Sequence, residues 1–341
     1  MTIEEARRLW QPAGCYLNTA SFGLPPKPGW DAMQQALADW QGGRTSWESW
    51  AETTHAARDA FARMVGVPGE RVAAGGTVSE LIGLVAASVD RGQLVCAEGD
   101  FTSLTWPWRV NGFRVAEVPL AQLAEAVDSS TTVVAVSVVQ SSTGELADLD
   151  AIVAAARAHG ALVVLDATQS CGWLPLDASR FDAVVCTGYK WLCSPRGTAY
   201  LALGETLLDR VEPRHAGWFA GEDSYSSFYG MPVRLAAAAR RLDTSPAWFS
   251  WVGAAPTLEL LNEIGIEAIH QHDVALANRF RAGLGLPLSN SAIVATNLPG
   301  AEERLERAGI RTAVRAGSLR ASFHVYTTEA DVDTALDALL R

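Results

Sequence analysis

The stretch ALVVLDATQSCGWLPLDASRFDAVVCTGYKWLCSPRGTAYLALG, residues 161–204, decides how this chain reads. It holds three apolar, largely β-branched runs, at 161–167, 181–188 and 198–204, each continuous rather than alternating. A strand with apolar side chains on both faces belongs in a sheet covered on both sides, which is usually a parallel one. Asp166 ends the first run, and Lys190 lies between the second and the third. A carboxylate placed behind four apolar residues is costly unless it is paired. It either meets a cation, such as a protonated pyridine nitrogen, or caps a turn. A lysine in an apolar pocket loses its proton easily and can form a Schiff base. The other reading of Lys190 is a salt-bridged lysine beside a turn.

The same pattern extends outward. WAETTHAARDAFARMVG (50–66) has helical spacing, RVAAGG reads as a short strand and turn, and TVSELIGLVAASVD (77–90) as a buried helix. QLVCAEG (93–99) and TTVVAVSVVQ (131–140) are further strands, with a helical segment through Trp106–Asn111 between them. LDAIVAAARAHG (149–160) is an amphipathic helix stopped by a glycine. Strands alternating with helices predict an α/β domain with a mostly parallel central sheet between helices. A long helical pattern from residue 257 onward is followed by β-α-β-β-α, which predicts a small C-terminal α+β domain. The expected division is a large domain over 20–245 and a small one over 246–341, with residues 1–19 packing against the small one.

Composition narrows the function classes. Net charge is 27 − 38 = −11, which leaves no basic footprint for nucleic acid or anionic membrane. The five cysteines, Cys15, Cys96, Cys171, Cys186 and Cys193, form no CxxC pair and are odd in number, against a disulfide framework or a structural zinc. His270 and His272 stand two apart, on different helix faces, so no metal site is expected. The start MTIEEARRLW lacks the apolar core of a signal peptide, and no uncharged apolar run reaches membrane-spanning length. A cytoplasmic protein is expected.

In open α/β sheets ligands gather at the carboxyl ends of strands. Besides Asp166 and Lys190, two more polar groups are placed there. Gly75, Gly76 and Thr77 precede a helix whose free N–H groups and dipole can hold a phosphate, although Thr77 is a good N-cap in any helix. Arg320 in GSLRASFHVYTTEAD alternates with apolar residues, as an arginine gripping a carboxylate would, or as an exposed edge arginine would. Gln169 is a candidate contact to a ring oxygen, and the hydroxyls of Thr187 and Tyr189 are candidates for a phosphate.

Taken together, YLNTASFGLPP (16–26), AGGTVSE, GDFTS, VVQSSTGEL, VLDATQSCG, TGYKWLCSPRG and LRASFHVYTTEADVD resemble the class V aminotransferase superfamily of pyridoxal-phosphate (PLP) enzymes over nearly the whole chain. KWLCSPRG is most similar to the isopenicillin N epimerase-like and ergothioneine-pathway C–S lyase-like branches, and Tyr189 is similar to the kynureninase pattern. The resemblance implies a type I PLP fold and a homodimer with shared active sites. It implies an aldimine on Lys190, a pyridinium partner in Asp166 and a hydrogen bond from Gln169 to the ring's phenolic oxygen. It gives the phosphate to Gly76, Thr77, Val78, Thr187 and Tyr189, and the ring face to Phe101. Arg320, with Asn18 nearby, is implied to take the substrate's α-carboxylate. Ser245 in RLDTSP falls where relatives read Arg-x-x-Gly-Thr-Pro and contact the neighbouring subunit's phosphate, and here the glycine and threonine are replaced.

The expected activity is chemistry at Cα of a small amino-acid substrate, by default transamination. β-Elimination, as by a C–S lyase, and epimerisation share its early steps, and a non-catalytic binding protein of the same fold is the alternative from another class. No cysteine follows Cys193, which argues against persulfide chemistry on a C-terminal loop. No GxGxxG follows a strand, which argues against a nicotinamide enzyme. The 12 tryptophans, Trp47 and Trp218 among them, either line a pocket or pack the core and an interface.

Overall fold

A computed structural model describes residues 1–340. Three helices come first: α1 (Ile3–Arg7), α2 (Lys27–Gln41) and α3 (Trp47–Met64). Then follow β1 (Val72–Gly75), α4 (Val78–Ser88), β2 (Gln93–Ala97), α5 (Thr102–Val110), β3 (Arg114–Val118) and β4 (Thr131–Ser137). Next are α6 (Leu149–His159), β5 (Leu162–Asp166), β6 (Ala183–Thr187), β7 (Ala199–Leu203) and α7 (Glu205–Arg210). The seven strands form one sheet in the order β1-β7-β6-β5-β4-β2-β3. β7 pairs antiparallel with both β1 and β6, and the other pairings are parallel, so β7 alone is reversed. The expected α/β fold with a mostly parallel sheet is what the chain adopts.

The continuous apolar runs are explained by two cores. Val134 and Val136 of β4 enter one core with Phe61 of α3 and Ile152 of α6. Val133 and Ala135 enter the other with Leu81 and Ile82 of α4 and Trp108 of α5. Successive side chains point to opposite faces, so a strand covered on both faces has no polar position to spare.

The C-terminal part holds α8 (Trp248–Ile264), α9 (Ile266–Gly283), β8 (Ile293–Thr296), α10 (Ala301–Arg307), β9 (Ala313–Arg315), β10 (Ser318–Ser322) and α11 (Glu329–Leu340). β10 is the centre of a three-stranded antiparallel sheet between β8 and β9. The predicted β-α-β-β-α order is present. The helical pattern read as continuous from residue 257 is broken at Gly265, whose φ of +89° suits a residue without a side chain. α8 packs along α2 and α3, whereas α9 packs against β8 and α11. We therefore propose the division between the two parts at Gly265, not near residue 246. Residues 15–18 pair with Arg311 and Ser322 of the small part.

α2 was not read from the sequence; it buries chiefly Gly29 and Ala36 and packs along α8. No helix among the described residues is long and apolar enough to cross a membrane.

Two buried ion pairs tie elements together. Asp273 of α9 meets the Nδ1 of His324, just beyond β10, at 2.8 Å. Arg58 of α3 pairs with Asp243, whose other oxygen accepts the Ala74 N–H on the open edge of β1 at 2.8 Å. Burial lifts the Asp243 carboxyl to about 6, and Arg58 pulls it back toward the charged form. Removing one partner of such a pair strands the other. Asp243→Ala is expected to cost about 3–5 kcal/mol in urea unfolding, and a loss below about 1 kcal/mol would show that the pair does not hold this edge.

Candidate functional site

The carboxyl edge of the large sheet gathers the site. Thr77 follows β1, Phe101 follows β2, Ser137 ends β4, Asp166 ends β5, and Thr187 ends β6. β7 turns back beside β6, so the connecting residues 188–198 stay at that edge and carry Lys190 into it. These residues line a cavity of about 300 Å³ with Ser79, Ser141, Thr168, Gln169, Tyr189 and Arg196. That volume is at the small end of ordinary ligand pockets. A groove of about 830 Å³ lies elsewhere, between residues 9–16, the start of α2 and Arg311. Its shifted groups, Cys15 (to about 12) and Tyr16, are pushed up by burial and stay neutral, so size does not mark the chemistry.

Lys190 and Asp166 are both almost wholly buried. Burial lowers the Lys190 amine to about 8, Asp166 opposes this, and the Arg320 and Arg315 cations add to it. The Lys190 Nζ sits 5.2 Å from the centre of the Phe101 ring and 5.9 Å from that of Tyr189. Burial raises the Asp166 carboxyl to about 6, while the Thr168 N–H, 2.8 Å away, and the Lys190 charge resist the shift. An acid near 6 and an amine near 8 in one cavity both titrate close to neutral pH, and such groups mark reactive sites.

The first turn of α4 differs from the expectation in one respect. The Gly76 N–H donates to the Glu80 carboxylate at 2.9 Å, so that amide is already taken. Thr77 caps the helix by accepting the Glu80 N–H. The amides of Val78 and Ser79 have no carbonyl one turn back and remain available. An anion here would rest on Val78, Ser79 and the Thr77 hydroxyl rather than on Gly76. The Thr187 hydroxyl donates to the Thr198 carbonyl at 3.2 Å and keeps a lone pair for a further donor.

Gln169 lines the cavity, but its side chain is engaged. Trp191 Nε1 is a pure donor and meets Oε1 at 2.8 Å, which fixes the amide so that Nε2 donates to Ala20 O and Ser141 Oγ, both at 3.0 Å. A ring oxygen would have to share Nε2 with Ser141. Arg320 stands one layer behind the cavity wall, almost wholly buried. Nη1 donates to Ser141 O and Oγ, Nη2 donates to Ser21 Oγ at 2.7 Å, and Nε has no partner. Asn18 lies outside the lining, with its Oδ1 buried and unpartnered. Ser245 is exposed and does not reach the cavity within this chain. Trp47 and Trp218 pack edge-on at 4.8 Å in a cluster with Tyr225, Phe228 and Trp248, so neither lines this cavity. His270 stacks on Trp173 and His272 meets the Thr327 carbonyl, with no metal-holding cluster among the described residues.

The sequence reading did not single out Asp100, Ser137, Ser141 or Arg196. Asp100 accepts the Phe101 N–H at 2.7 Å and the Ser137 N–H at 2.8 Å, thereby setting the Phe101 ring. Its signal was a carboxylate just past a strand end, the same signal that marked Asp166. Gly23 packs on the Lys190 turn and donates its N–H to Tyr189 O at 3.0 Å. A methyl at Gly23 would overlap the Lys190 carbonyl oxygen. Gly23→Ala is expected to displace Lys190, slowing lysine-specific labelling at residue 190 or cofactor capture by at least about tenfold while the melting transition stays cooperative. Unchanged capture would show that the turn tolerates the shift.

Comparison with known proteins bears on the family and the fold. Residues 26–304 match the Aminotransferase class-V family. An uncharacterized aminotransferase, YcbU, of Bacillus subtilis is 28% identical over 321 residues, covering 86% of this chain and 85% of its own. Isopenicillin N epimerase of Streptomyces clavuligerus is 28% identical over 335 residues, covering 83% of each. Among solved structures, a mutant of the protein C-DES with glycine covalently linked to its PLP cofactor superposes with a TM-score of 0.87 at 21% identity, covering 98% of both chains. The chain belongs to the class-V aminotransferase family of PLP-dependent enzymes.

Proposed function

We propose that this chain carries PLP on Lys190 and acts at Cα of an amino-acid substrate as an aminotransferase. The observation that carries this reading is the buried Lys190–Asp166 pair under the Phe101 ring, in a cavity that also holds an anion-ready helix start. The residues fit the cofactor. Val78, Ser79 and the Thr77 hydroxyl would hold its phosphate, Asp166 its ring nitrogen, and Phe101 would cover a face, whereas the Thr187 hydroxyl has its proton on the Thr198 carbonyl. When bound, the cofactor supplies an electron sink for the pair left at Cα.

The protein's part follows from its own groups. Asp166 keeps a proton on the ring nitrogen by remaining ionised beside it. Arg320 would take the substrate carboxylate in exchange for its bonds to Ser141 and Ser21, and so select which Cα bond is aligned to break. Lys190, with its amine lowered to about 8, moves the Cα proton as base and then acid. Phe101 shields the reacting atoms from water. None of the five cysteines lines the cavity, which supports amino transfer over persulfide chemistry. The working form is a homodimer, a reading supported by the exposed Phe101 at the cavity and by Trp106 and Val110, exposed along α5.

Purified protein with added PLP is expected to show a yellow band that borohydride bleaches and that Lys190→Ala lacks. A protein that stays colourless defeats the reading, and amino transfer to a 2-oxo acid separates transamination from release of ammonia. The lowered amine sets a pH test as well. Lys190 is protonated and unreactive below its pKa and free above it. The rate of PLP capture by cofactor-free protein is therefore expected to rise with a midpoint near pH 8. A rise only above about pH 10, as for an ordinary lysine, would contradict the pocket's effect.

A further inference from the structure

β9 and β10 form a hairpin whose two-residue turn, Ala316-Gly317, has positive φ at both positions, +47° and +80°. That is the turn geometry whose twist matches paired strands, so the register is fixed. Arg315 pairs with Ser318, and Arg320 pairs with Ala313. Directly paired residues share a face, and so do residues two apart on one strand. Arg315, Ser318, Arg320 and Ala313 therefore share one face. Leu319 and Ala321 take the opposite one and enter the small core.

Both guanidinium groups reach the same atom. Arg320 Nη2 donates to Ser21 Oγ at 2.7 Å and Arg315 Nη2 donates to it at 3.2 Å. Arg320 is buried behind the wall to which Ser141 contributes and Arg315 is exposed, so the pair runs from behind that wall out to solvent. Neither takes part in an ion pair among the described residues, although two like charges held on one hydroxyl repel each other. Both charges are felt at the Lys190 amine. On the other side of the cavity the phosphate end has its own donors and Arg196. One α-carboxylate on Arg320 leaves Arg315 without an anion.

We infer that the substrate carries a second carboxylate, which Arg315 reads on the solvent side of Ser21 while Arg320 holds the first, so that this enzyme acts on an acidic amino acid. The inference rests on the proposed PLP reading for its chemistry but not for its binding test. Charge-assisted bonds from a guanidinium to a carboxylate are strong and geometrically selective, so Arg315 would set preference among substrates without touching the reacting atoms.

The test uses the PLP-loaded protein and unreactive acids, glutarate with two carboxylates and butyrate with one, titrated by calorimetry. The visible band is recorded alongside. Wild type is expected to bind glutarate about tenfold or more tightly than butyrate, since one charge-assisted bond is at stake. Arg315→Ala is expected to remove that advantage and leave butyrate affinity within about twofold, and Arg315→Lys to keep part of it. Equal affinity of wild type for both acids overturns the inference, as does an Arg315→Ala variant that weakens both acids alike, because the two guanidinium groups would then share one carboxylate. A colourless protein that still prefers glutarate refutes the PLP reading and upholds this one. A yellow protein without the preference does the reverse.

Discussion

The opposition of one carboxylate and one amine, both held out of water, is the constraint on which this structure depends. Asp166 and Lys190 come from β5 and from the turn after β6, neighbouring strands in the sheet. Each alone would be driven to its neutral form by burial. Each partly restores the other's charge. The balance holds only while the wall stays dry, and the surrounding layers serve that end. Apolar helices cover both sheet faces, the Phe101 ring lies over the amine, and Trp191 and Trp173 close the cavity from behind through Gln169.

The same economy appears at the joints. β1 is an edge strand, and the Asp243 carboxylate satisfies its Ala74 N–H, so the edge is closed by a side chain rather than by another strand. Asp273 and His324 join α9 to the end of β10. Burial disfavours the charged imidazole, but Asp273 and Cys193 together outweigh it and lift His324 to about 10, so it keeps its proton. Residues 15–23 then link the two parts, pairing with the small sheet at one end and lying on the Lys190 turn at the other. Arg315 and Arg320 of the small sheet are thereby set against a site built by the large one.

The sequence by itself determined the large sheet, because continuous β-branched runs have no solvent face and can only be covered twice. It also marked Asp166 and Lys190 as candidates, since a charge set beside such runs needs a partner. The small β-α-β-β-α part was legible for the same reason. Other features were decided by tertiary structure. α2 was missed in the pattern, and its place became visible only once α8 was seen packed beside it. Gly76 looked like an open amide until the Glu80 side chain was seen to return to it. Gln169 and Arg320 had the right chemistry, but their partners Ser21, Ala20 and Ser141 lie far away in the chain, and no local pattern announces a hydrogen bond across such distances. The convergence of Arg315 and Arg320 on one hydroxyl likewise needs strand register and a third segment. Period and burial cost are local properties that a sequence displays, whereas which donor meets which acceptor is fixed only by the packing of distant segments.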